Sequence, residues 1–145
     1  MPRKAKASTF IDEIFISKKN YEKILMWSQS EREINFICFG NDKIIENVSR
    51  LSNLSRYPKS FSLEGETERK VLVKEKKKNG YTVIANGHSH PSKYHDPHPS
   101  DTDIRFIERG SLELIVFPYK GSIRAWFIRP TKQSTLNSEV KISLT

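Results

Sequence analysis

Residues 33–40, EINFICFG, decide how the rest of the chain is read. From Phe36 to Phe39 the stretch is apolar at every position, so an extended conformation would put hydrophobic side chains on both faces. A strand with two apolar faces belongs in the middle of a sheet, covered on both sides. Working outward, NDK (41–43) is a tight turn, and KIIENVSRLSN (43–53) returns as the second strand of a hairpin. On the other side, FIDEIFI (10–16) reads as a strand. SKKNYEKILMWSQS (17–30) reads as a helix, because Ser17 can cap it and Tyr21, Ile24, Leu25 and Ser28 fall on one face.

Further along, SRYPKSFSLEG (55–65) is irregular, with Pro58 and Gly65. ETERKVLVKEKKK (66–78) is a charged helix stopped by Asn79-Gly80. YTVIANGHSH (81–90) is a strand, followed by a proline-rich loop and a short helix from Ser100 to Arg109. LELIVFPYK (112–120) and SIRAWFIRP (122–130) form a hairpin around Lys120-Gly121. These elements sum to one mixed sheet flanked by helices, an α/β or α+β class. The expected organisation is a basic arm at 1–9, one domain at 10–130, and a C-terminal tail or edge strand at 131–145.

The totals agree with a single core. The chain has 145 residues, 36% of them hydrophobic, with eight Phe, five Tyr and two Trp. That composition excludes a disordered chain. The net charge of +8 gathers in PRKAK (2–6) and KEKKK (74–78). Such runs are solvated faces or contacts for an acidic partner. No aromatic-rich basic motif accompanies them, so nucleic acid is not the expected partner. A single cysteine, Cys38, cannot form an internal disulfide and suits a reducing compartment. In its apolar strand it reads as a small buried residue. No apolar run follows the basic start and none reaches membrane-spanning length, so the expectation is a cytoplasmic protein without a membrane partner. The sequence leaves a homodimer open.

All four histidines lie in GHSHPSKYHDPHPSDTD (87–103). His88 and His90 are two apart at the end of a strand, so their imidazoles project to one side. Zn²⁺ accepts two such nitrogens at roughly 2.0–2.1 Å. Ser89 then points the other way and is no ligand. A third ligand is still required. Asp103 is the candidate, while His95, Asp96 and His98 keep that assignment open. Three protein ligands leave a place for water, which is the catalytic form of zinc; the absence of cysteine from the cluster disfavours a structural site. Ser100 and Asp103 also fit a helix-capping pattern that implies no chemistry by itself.

HSHP followed by Ser100-Asp-Thr-Asp103 resembles the JAMM motif of the MPN-type zinc metallopeptidases, His-x-His, a spacer, then Ser-x-x-Asp. The resemblance covers roughly residues 10–130. It implies an MPN/cytidine-deaminase-like architecture, a Zn²⁺ cofactor, and His88, His90 and Asp103 as metal ligands. It further implies a catalytic glutamate just before an apolar strand ending in glycine, which Glu33 matches ahead of Gly40. Alternation puts Glu31 on the same face, and the distance to Gly40 favours Glu33. The spacer from His90 to Ser100 is nine residues where the family usually has seven, so Asp101 or Asp96 are the alternatives to Asp103. Similarity to this family implies that Glu33 moves the water's proton and that the Ser100 hydroxyl stabilises the oxyanion. Such members cut the peptide or isopeptide bond after the C-terminal glycine of a ubiquitin-like or sulfur-carrier protein. The alternatives within the same resemblance are a catalytically silent interaction scaffold and a nucleic-acid-associated member.

Overall fold

The computed structural model describes residues 11–30, 32–52, 63–90, 112–127 and 138–145. Among the described residues seven strands and two helices follow one another: β1 (Glu13–Ile16), α1 (Lys18–Trp27), β2 (Asn35–Asn41), β3 (Ile44–Leu51), α2 (Leu63–Lys78), β4 (Thr82–Ser89), β5 (Leu112–Phe117), β6 (Ser122–Phe127) and β7 (Ser138–Leu144). The sheet is mixed, as expected. β1 runs parallel to β3 and to β7, and β4 runs parallel to β5; the other pairs are antiparallel.

Two expectations are corrected. The sheet is not an open layer between helices but a closed barrel in the order β1-β3-β2-β4-β5-β6-β7. The C-terminal strand is therefore not an edge. β7 pairs with β6 on one side and with β1 on the other, where Glu13 stands opposite Lys141 and Ile16 opposite Leu144. Closure gives the backbone groups of the first and last strands partners that an edge would leave to solvent. The second correction concerns α2, which starts at Leu63 and so takes in Gly65. A glycine costs a helix interior about 1 kcal/mol relative to alanine, and in the first turn the chain bears it.

β2 occupies the central place read from its composition, paired with β3 and β4 along its length. Its even-numbered side chains Phe36 and Cys38, with Ile34 just before, enter the main core beside Ile24 of α1. Its odd-numbered Ile37 and Phe39 face the other way and pack with Leu51 against Leu72 and Val73 of α2. Both faces of one strand are thus closed by a different helix. The hairpin turn behaves as read: Asp42 takes the left-handed φ of 58° in a two-residue connection between paired Asn41 and Ile44.

The helices are punctuated as the sequence indicates. Ser17 caps α1, its Oγ accepting a hydrogen bond from the Asn20 amide at 3.1 Å. Ile24 and Ser28 of the anticipated face are buried, and Tyr21 and Leu25 are partly so. α2 ends in a Schellman motif. Gly80 has φ 87°, its N–H donates to the Lys77 carbonyl, and Tyr81 N–H donates to the Lys76 carbonyl. Among the described residues no helix is long and apolar enough to cross a membrane.

Candidate metal centre

The centre is built where β4 ends between β2 and β5. Gly87, the residue before the histidines, sits under the Phe36 ring; a Cβ there would lie 2.1 Å from a ring carbon. Only glycine lets β4 approach this closely. The next three residues are then tied on both sides. The Ser89 amide donates to the Ile34 carbonyl at 3.1 Å, and the Ile34 amide donates to Ser89 Oγ at 2.9 Å. The His90 amide donates to the Val116 carbonyl of β5 at 2.9 Å. Ser89 does turn away from its neighbours, as alternation requires, and it fastens the segment that leads into β2.

His88 and His90 share the opposite side. Their Nε2 atoms stand 3.1 Å apart, and both residues are buried. Asn35 is opposite His88 in the ladder. The Ile34–Ser89 tie carries the contact one step further, toward Glu33 and His90. One ligand atom of each of Glu33, His88 and His90 lies within 4.8 Å of the others. This donor set suits zinc. Two nitrogens bound to one tetrahedral zinc at roughly 2.0–2.1 Å are about 3.3 Å apart, close to the separation seen here.

Three neighbours of the histidines are not evident in the motif. Glu113 of β5 is buried, and its Oε2 lies 2.5 Å from His88 Nδ1. The signal for it was a single acid in the otherwise apolar LELIVF. The Phe117 ring meets His90 edge-on, with centroids 5.6 Å apart and planes at 86°. Asn35 is also buried, and its Nδ2 has no hydrogen-bond partner among the described residues. From the helical side, Arg69 of α2 donates to Asn86 Oδ1, two residues before His88.

Cys38 is fully buried in the main core. Burial pushes its thiol far above the ordinary value, and the negative charge of Glu113 pushes in the same direction. A thiol held protonated is a poor nucleophile, so Cys38 plays the packing part expected of it. Ser100, Asp103, Asp101, Asp96, His95, His98 and Glu31 lie outside the described residues.

The structure is similar to the solution structure of protein DSY2949 from Desulfitobacterium hafniense, at 28% identity and TM-score 0.74, over 91% of this chain and 92% of that one. It also resembles AF2198, a JAB1/MPN domain protein from Archaeoglobus fulgidus, at 18% identity and TM-score 0.55, over 90% and 96%. A structure described as "JAMM: a metalloprotease-like zinc site in the proteasome and signalosome" matches at 18% identity and TM-score 0.52, over 90% and 97%. The latter two likenesses bear on the fold alone. No curated protein matches the chain. A family model described as prokaryotic homologs of the JAB domain matches residues 23–129, which take in both Glu33 and the histidine pair, and the chain belongs to that family.

Proposed function

We propose that the chain is a zinc metallopeptidase that hydrolyses the peptide or isopeptide bond after the C-terminal glycine of a ubiquitin-like or sulfur-carrier protein. The observation that carries the reading is the meeting of the half-buried Glu33 with the buried His88–His90 pair. A silent scaffold has no chemical use for a carboxylate beside two imidazoles brought together from segments far apart in the chain. In the proposal, His88 and His90 hold the ion and Asp103 is the third ligand. A zinc ion held there would supply Lewis acidity, enough to bring the pKa of a water to about 7 and to polarise the scissile carbonyl.

The protein's own groups do the remainder. Glu33 takes the proton of the attacking water and delivers it to the leaving amine. The Ser100 hydroxyl donates to the oxyanion of the tetrahedral species. No acyl-enzyme forms, which agrees with a buried, protonated Cys38. The basic surface, +8 overall, favours the approach of an acidic substrate body.

The test is cleavage of ubiquitin-like and sulfur-carrier fusions by the wild-type protein against Glu33→Gln, with zinc measured in both. The expected result is zinc retained and cleavage reduced at least 100-fold in the variant, the order of a lost general base. Zinc lost together with activity would make Glu33 a ligand. A zinc-loaded wild-type protein that cuts none of the fusions would favour the scaffold.

A further inference from the structure

The JAMM-type motif accounts for Glu33, His88 and His90 but assigns nothing to Glu113. We infer that Glu113 is the positioning residue of the metal centre: it accepts a hydrogen bond from the Nδ1–H of His88 and so turns the Nε2 lone pair toward the ion. This rests on the metal site of the function proposed above and not on its substrate.

Geometry carries the inference. β5 has two faces. Leu112, Leu114 and Val116 enter the main core, while Ile115 and Phe117 join Trp126 in a separate apolar cluster. By alternation Glu113 falls on the second face, and across the ladder it is opposite Trp126. A carboxylate on such a wall is costly to desolvate unless it is paired. It is paired with His88 at 2.5 Å, both side chains 7% exposed or less. The parallel register sets the reach: His88 is beside Ile115, and Glu113 is two residues back on the same face. The carboxylate therefore meets the ring at Nδ1, leaving Nε2 on the side of His90.

A neutral imidazole has one protonated nitrogen and one lone pair. An acceptor oxygen 2.5 Å from Nδ1 favours the tautomer that carries its proton there. That tautomer presents Nε2 as a ligand. Ligating histidines are commonly oriented through the other ring nitrogen in this way, and loss of such a partner typically lowers metal affinity by roughly 10–100-fold.

The experiment has two arms, neither of which needs a substrate. The first is long-range ¹H–¹⁵N NMR of the metal-free wild-type protein, with the His88 ring assigned by its loss in His88→Gln. The expected pattern is a proton on Nδ1 and a lone pair on Nε2; a proton on Nε2 overturns the inference. The second is zinc affinity by chelator competition in wild type, Glu113→Ala and Glu113→Gln, with circular dichroism as the control for folding. Glu113→Ala is expected to weaken zinc roughly 10–100-fold and to release the tautomer to a mixture. Glu113→Gln keeps an acceptor oxygen without the charge and should fall between the two. Wild-type affinity in a folded Glu113→Ala overturns the inference. Should Glu113→Ala not fold, wild-type affinity in Glu113→Gln does so instead. A protein that binds zinc through an oriented His88 yet cuts no fusion would end the peptidase reading and leave this one standing.

Discussion

The two faces of the strands β2, β4 and β5 differ sharply although they share one backbone. The face toward α1 is continuous: Ile34, Phe36 and Cys38, Ala85, and Leu112, Leu114 and Val116 merge with both ends of the barrel into one apolar cluster. The face toward α2 is divided. Ile37 and Phe39 form one patch, Ile115, Phe117 and Trp126 another, and between them lie Asn35, His88, His90 and Glu113. The first face holds the fold and the second spends part of its burial on polar groups. A rigid apolar side is what lets the other side keep two imidazoles and a carboxylate in fixed places.

Substitutions on each face can break or sharpen that contrast. The largest effect is expected from Phe36→Ala on the continuous face. Phe36 is fully buried and covers Gly87, so its loss should cost about 3–5 kcal/mol and lower Tm by roughly 10 °C or more. A melt shifted by only a degree or two would show that this face repacks freely. Next comes Ser89→Ala, which crosses between the faces. It leaves the Ile34 amide without its acceptor, at about 1–3 kcal/mol in chemical denaturation. Because Ile34 adjoins Glu33, turnover should fall further than zinc affinity; equal losses would mean that the tie supports the histidines alone. The smallest effect belongs to Asn35→Leu on the divided face. It removes a buried amide nitrogen that has no partner among the described residues, so stability should stay within about 1 kcal/mol of wild type or rise. A loss above about 2 kcal/mol would refute the idea that this corner of the site is held at the expense of stability.

Much of this was legible in the sequence because it depends on period and punctuation. EINFICFG announces a central strand by being apolar at successive positions, and HSH announces two rings on one side by a spacing of two. Ser17 and Asn79-Gly80 mark helix ends through hydrogen bonds to neighbours a few residues away. What stayed hidden depends on partners far along the chain. SEVKISL has only Val140 buried, so nothing local distinguishes a barrel-closing strand from a tail. Glu113 reads as an ordinary outward-facing acid until β4 is laid beside β5. Asn35 gives no sign of burial because its cover comes from other strands. The pairing of Glu33 with the histidines was reached through a motif, since the register that joins β2 to β4 leaves no trace in either segment alone.

Closing the ring through β1 and β7 has a consequence for how the protein is made. Glu13 finds its neighbour at Lys141, so β1 must wait for the synthesis of β7, far along the chain, before that side is matched. Until then its hydrogen-bonding groups are open to other nascent chains. Synthesis halted just short of residue 138 should therefore leave a species recognised by chaperones, even with β2, β4 and the histidine pair already joined.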